Sequence, residues 1–271
     1  MEVVQFRRST IKFSIHGSGP PVLLVHGIPT GRHLWDFIVP SLEHTFTCIA
    51  VDVPGLGESE PLADGSLDPA RQAQELDSLR EQLSIKSWHV IGHDAGSTIA
   101  VHYAAQFSQR VERLVLCSPP IFPEFQVPWF FRLVRIPVLG DCLAPFVLFL
   151  LWHGGIQSAI GRRDPALTQI VQTFRRPFTG YSGVRRFVNL LRWGDPSQVL
   201  ARTAALLPAI TAPTLICHGK GDGAIPFDFA IRASTIIPHA ELRLMDCGHF
   251  LPLSCSEALS GYILAFLNGQ Q

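Results

Sequence analysis

Six short apolar runs, each stopped near glycine, proline or aspartate, alternate along the chain with segments of helical period. They are PVLLVHG (21–27), FTCIAVDVPG (46–55), SWHVIGHD (87–94), VERLVLCSP (111–119), PTLICHGKGD (213–222) and AELRLMDCG (240–248). Valine, leucine and isoleucine dominate them, as in strands buried on both faces. The helical segments between them include HLWDFIVPSLEHT (33–45), DPARQAQELDSLREQLSI (68–85), GSTIAVHYAAQFSQR (96–110) and PFDFAIRASTIIP (226–238). The second has Asp68 as a cap with Pro69 at the first helical position. Strand alternating with helix predicts an α/β fold, a mostly parallel sheet with helices on both faces. VVQF (3–6) and IKFSIHG (11–17) add an antiparallel pair at the front, which makes eight strands.

The alternation stops between residues 120 and 196, a proline-broken, aromatic and helical stretch. It reads as a helical cap, or lid, inserted into a core formed by residues 1–119 and 197–271. Its most apolar run, LAPFVLFLLW (143–152), is shorter than the about 20 residues a bilayer needs. A buried helix or channel wall is therefore expected ahead of a membrane-touching patch, and no transmembrane segment. The first residues lack the apolar stretch of a signal peptide. With 16% charged residues and a formal net charge of +0, no basic field invites nucleic acid. The six cysteines form no Cys-x-x-Cys pair and fall mostly in strand-like runs, as buried thiols of a reducing, cytoplasmic protein would. No set of His, Cys and Asp has metal-ligand spacing and no phosphate loop occurs, so no metal and no cofactor are expected.

The chemistry is carried by HVIGHDAGSTIA (89–100), a strand, a sharp turn and a helix start. Its centre, Gly92-His93-Asp94-Ala95-Gly96, has the Gly-x-nucleophile-x-Gly form with a carboxylate where a hydroxyl is usual. Asp222 follows the fifth of the six apolar runs and His249 the last, so nucleophile, acid and histidine come in the chain order of that turn's fold. In a doubly wound sheet these positions converge at the carboxyl ends of the strands. Asp222 would orient His249, and the N–H groups of Ile28 and Ala95 would form an oxyanion hole. A carboxylate is a poor nucleophile towards amides but opens a strained or activated alkyl carbon as an enzyme ester, which His249 and water then hydrolyse.

Over essentially its whole length the chain resembles the α/β-hydrolase superfamily. HGIPTGRHLW, DVPGLGES and GHDAGS resemble its aspartate-nucleophile branch, which holds epoxide hydrolases and haloalkane dehalogenases. Asp94, Asp222, His249 and the aromatic lid make an epoxide hydrolase acting with water on a small hydrophobic substrate the leading expectation; a homodimer stays open. The lid acid over the epoxide would be Tyr181, the one tyrosine of residues 120–196, paired with His153; Trp35, Trp129 and Trp152 are further candidate contacts. A haloalkane dehalogenase is the alternative, but the halide-donor positions look like Ile28 and Ala95, whose side chains donate nothing, so a lid tryptophan (Trp129, Trp152 or Trp193) would have to serve. A biosynthetic lyase, isomerase or cyclase using Asp94 and His249 as acid and base stays open.

Overall fold

The computed structural model describes residues 2–5, 10–160 and 165–270. Eight strands form one sheet in the order β1-β2-β4-β3-β5-β6-β7-β8. β1 (Glu2–Gln5) and β2 (Thr10–His16) are the antiparallel pair expected at the front, and β2 also runs antiparallel to β4. Phe6, the last residue of VVQF, lies outside the described residues. β3 (Pro21–Val25), β4 (Thr47–Val51), β5 (Trp88–His93), β6 (Val111–Cys117), β7 (Thr214–Gly219) and β8 (Ala240–Met245) coincide with the six apolar runs and are parallel to one another.

Twelve α-helices accompany them among the described residues, with five short 3₁₀ or π segments. α1 (Val39–Leu42) is only one turn, because Pro40 in HLWDFIVPSLEHT divides the expected helix from a 3₁₀ turn at Arg32–Trp35. α2 (Pro69–Gln82) starts as expected, with the Asp68 carboxylate accepting from the Ala70 N–H at 2.9 Å. α3 (Ala95–Gln106) follows β5 directly. Between β6 and β7 the chain leaves the sheet for α4 (Trp129–Val134), α5 (Leu139–Leu150), α6 (Ile156–Ile160), α7 (Pro165–Arg175), α8 (Gly180–Arg192) and α9 (Pro196–Leu206). α10 (Asp228–Ile236), α11 (Leu251–Ser254) and α12 (Ser256–Leu267) complete the chain.

The period of two along a strand explains the two hydrophobic layers. On β3, Leu23 and Val25 join the layer packed under α2, α3 and α10, while Val22 and Leu24 join the layer under α1 and α12. Two expectations need correction. The apolar run 143–152 belongs to a longer continuous helix, Leu139–Ile160, long and apolar enough by length and composition to cross a membrane. His153-Gly154-Gly155 interrupt the apolar run but not the helix, which passes through them in a wider π-turn at Leu151–Gly155. Its inner side chains Ala144, Val147 and Leu148 are packed into the fold, whereas Phe146, Phe149 and Leu150 are exposed, so it is not a wholly buried helix. Among the cysteines, Cys48, Cys117 and Cys217 are buried as expected, but Cys142 is exposed on α5.

Truncating either face of β3 leaves a cavity that close-packed strands cannot refill. Leu23→Ala and Leu24→Ala are each expected to cost about 2–5 kcal/mol of stability, read from urea unfolding.

Candidate active site

The turn between β5 and α3 places Asp94 at φ 51° and ψ −126°, backbone space that L residues rarely adopt. Hydrogen bonds hold it there. The Asp94 N–H donates to Cys117 O on β6 at 3.0 Å, and Asp94 O accepts from the Ser97 N–H at 2.8 Å. The Ser97 hydroxyl, fully buried, spans Gly92 O at 2.9 Å and Cys117 O at 3.1 Å. Gly96 is required by close approach, since a Cβ there would run into the carbonyl oxygens of Val25 and His26. Gly27 is required for the same reason, because a Cβ would collide with the Asp94 carboxylate itself.

The loop after β3 meets that carboxylate. The Ile28 N–H donates to Asp94 Oδ2 at 2.9 Å, and the Ala95 N–H is a second backbone donor to the same carboxyl. Both amides expected from the sequence therefore converge on one group. Burial raises the Asp94 pKa above the usual carboxylate value; the charge of His249 and these two N–H groups offset only part of that.

The ends of β7 and β8 supply the other two groups. His249 Nδ1 lies 2.9 Å from Asp222 Oδ2, and the second Asp222 oxygen accepts from the Ala224 and Ile225 N–H groups at 2.8 and 2.9 Å. Burial opposes the charge on Asp222, but the His249 hydrogen bond and charge, with those N–H groups, outweigh it and hold its pKa at about 2. Burial likewise pulls the His249 imidazole down, but Asp222 and then Asp94 reverse this and leave it above its ordinary value. The neighbouring histidines do not compete for the proton. Burial lowers His93 to about 3, and its Nε2–H donates to the His249 carbonyl at 3.0 Å. His218 is also lowered by burial, with Nε2 3.0 Å from Ile225 O.

Asp94 and His249 open onto a cavity of about 370 Å³, within the about 300–1,000 Å³ of small-molecule pockets. Its walls are largely apolar. α4 brings Phe130 and Phe131, the turn after α5 brings Leu151, α8 brings Leu190 and Leu191, and Ile28, Val53 and Leu56 come from the core loops. Sequence reasoning missed the polar wall groups Gln72, Thr98 and Arg135. Gln72 is buried with its amide N–H₂ on Pro54 O and Ser66 O, while its carbonyl oxygen has no partner. A lone buried glutamine on the apolar face of α2 was the one signal that could have marked it. Arg135 donates to Leu191 O and Gly194 O at the end of α8.

The lid residues expected from the sequence do not come together in this cavity. Tyr181 is 81% exposed, because 181, 185 and 189 share the outer face of α8 while Gly183, Phe187 and Leu190 face inward. His153 stands outside too, stacked on Phe149 at 4.0 Å with Nδ1 on Phe149 O at 2.8 Å. Trp129 is 66% exposed, Trp152 packs on Phe178, and Trp35 is fully buried in the layer under α1 and α12. None of these five is a wall residue, and of the lid tryptophans only Trp193 is.

The family description matching residues 20–254 is the alpha/beta hydrolase fold, and the chain belongs to that family. It is 30% identical over 267 residues to a cis-3-alkyl-4-alkyloxetan-2-one decarboxylase of Shewanella oneidensis, covering 93% of this chain and 83% of that protein. A haloalkane dehalogenase loop variant from Bradyrhizobium elkanii superposes with a TM-score of 0.83 at 25% identity, over 99% of this chain and 96% of that one. An alpha/beta hydrolase fold protein from Burkholderia ambifaria gives 0.85 at 20% identity, over 97% and 96%, a likeness of fold alone.

Replacing Asp222 by Asn removes the group that outweighs burial at His249. In Asp222→Asn the imidazole is expected to titrate below its ordinary value of about 6.5 rather than above it, as followed by histidine NMR shifts.

Proposed function

Within that hydrolase family, we propose that this protein opens a strained, hydrophobic cyclic ester, an oxetan-2-one, at alkyl carbon through an ester on Asp94. The observation that carries this reading is a carboxylate at the turn, held by two amides, facing an apolar cavity into which the expected lid acids do not reach. Opening an epoxide leaves an alkoxide that needs a proton. The chain's three tyrosines lie elsewhere: Tyr181 outside, Tyr103 bonded to Asp77 at 2.8 Å, and Tyr262 on the outer side of α12. A β-lactone opened at its alkyl C–O bond leaves a carboxylate, stable as an anion at neutral pH without an acid catalyst. The relative from Shewanella oneidensis is named for a substrate of this class.

In this reading the helices between β6 and β7 act as a lid that keeps the reacting carbon in an apolar space. Asp94 attacks the sp³ ring carbon bonded to the ring oxygen; that alkyl C–O bond breaks, and its electron pair stays on the oxygen of the new carboxylate. Two exits follow. Loss of CO₂ from that carboxylate, with departure of the Asp94 carboxylate, gives an alkene and restores the enzyme. Alternatively, His249 takes a proton from water as it attacks the ester carbonyl, and the oxyanion rests on the Ile28 and Ala95 N–H groups; as the intermediate collapses, His249 passes that proton to the departing alkoxide and a β-hydroxy acid leaves. The site prepares the second exit electrostatically. Esterification removes the Asp94 charge that helps to raise the imidazole, so His249 gives up its proton more readily once the ester exists.

Asp94→Asn is expected to lower turnover of a cis-3,4-dialkyloxetan-2-one by about 10⁴-fold or more, followed as loss of the lactone carbonyl band. His249→Ala should accumulate protein heavier by one whole lactone if the second exit operates, whereas alkene and CO₂ with no adduct mark the first. Turnover of simple epoxides but not of the lactone by the wild type sinks the reading. The pH profile has a sign as well. Asp94 must be ionised and its pKa is raised, so kcat/KM should fall towards acid at a pH above the about 3.9 of an ordinary aspartate.

A further inference from the structure

α4, α5 and α8 pack on one another as a layer. Their inner side chains Phe130, Phe131, Leu190 and Leu191 line the cavity. A layer between a cavity and water needs a polar outer face. Here the outer face is apolar as well: Phe146 is 59% exposed and Phe149 53%, both on α5, beside Leu139 and Leu150, with Trp129 on α4 and Tyr181 on α8. Side chains of this size clustered on one layer mark a surface that is covered when the protein works.

The charge around the patch says by what. Residues 120–196 hold nine arginines, no lysine and four acidic residues, a net charge of plus five. The rest of the chain carries thirteen basic against eighteen acidic residues, a net of minus five, which the overall balance of zero conceals. Arg132, one turn from Trp129, and Arg185, one turn from Tyr181, are exposed within the layer. Arg192 bridges to Asp141 at 2.9 Å beside exposed Val138 and Leu139, and the charge of Arg185 acts on the same carboxyl. We propose that this face docks on an anionic lipid surface, with Phe146, Phe149 and Leu150 dipping into the acyl boundary and the arginines among the head groups. Tryptophan and tyrosine suit that interfacial level. A second copy of the same face would bring the exposed Arg132 and Arg185 against their own like charges. The helix Leu139–Ile160 lies on the membrane rather than across it, since its inner residues are packed into the fold. A substrate dissolved in the bilayer then reaches the lid without crossing water.

The test is co-sedimentation of the full chain with vesicles of equal parts phosphatidylglycerol and phosphatidylcholine, against pure phosphatidylcholine vesicles. Binding is expected to the anionic vesicles, weakening as salt rises. Arg132→Gln with Arg185→Gln should weaken it about 30-fold at low salt. Phe146→Ser with Phe149→Ser should weaken it by about the same factor, with thermal unfolding and turnover of a water-dispersed substrate unchanged. The readout is binding, so it stands or falls apart from the reaction assigned to Asp94. Equal binding to both vesicles overturns the proposal, as does no vesicle binding. It is equally overturned if the Phe146/Phe149 change dissolves a dimer seen by sedimentation while lipid binding is absent.

Discussion

The conformation of Asp94 is the constraint around which the rest is arranged. A φ of 51° costs on the order of 1–3 kcal/mol for a residue with a side chain. It persists because β6 and the start of α3 bond its backbone N–H and C=O, and because Gly96 lets the helix start sit against the end of β3. The result is a carboxylate raised above the sheet edge, where the loop after β3 meets it with the Ile28 N–H. Any side chain on Gly27 or Gly96 would break that contact sterically, so backbone packing sets the position of the Asp94 carboxylate.

A second buried network fixes the loop that supplies Ile28. The Arg32 guanidinium is ion-paired with Asp52, and both are nearly inaccessible to solvent. The same carboxylate accepts from the Arg32 N–H at 2.6 Å and the Glu58 N–H at 3.0 Å, while Arg32 also reaches Glu58 at 2.7 Å. His26 Nε2 accepts from the Val53 N–H at 3.0 Å. Together these tie the HGIPTGR segment to DVPGLGES, which explains why both segments carry charged residues inside an otherwise apolar core. A buried pair of this kind is weak evidence for net stability but costly to break, since either partner alone would be an uncompensated buried charge.

The electrostatics of the site and of the whole molecule follow one logic at two scales. Within the site, Asp222, bonded to His249 and to two backbone N–H groups, holds the imidazole charge, while burial lowers His93 and His218, so the charge that acts on Asp94 is that of His249. Across the molecule, a zero net charge divides into a basic, arginine-rich stretch and an acidic remainder. Bulk composition conveys neither.

The strands, their largely parallel arrangement, the antiparallel pair at the front and the positions of Asp94, Asp222 and His249 after strand ends were legible because each rests on local pattern. A doubly buried strand must be apolar throughout, a sharp turn needs glycines, and chain order places the strand ends together. The outer helices were not legible in the same way. Which face of α8 carries Tyr181, or whether α5 continues through His153-Gly154-Gly155, depends on how the helices between β6 and β7 pack on one another. So does the inward turn of Arg135 and Trp193 and the outward turn of Trp129 and His153. By itself the sequence determined the sheet and the carboxylate at its edge. The tertiary structure alone decided which side chains of the helices between β6 and β7 face that carboxylate and which face outward, because helix rotation is set by contacts between segments far apart in the chain.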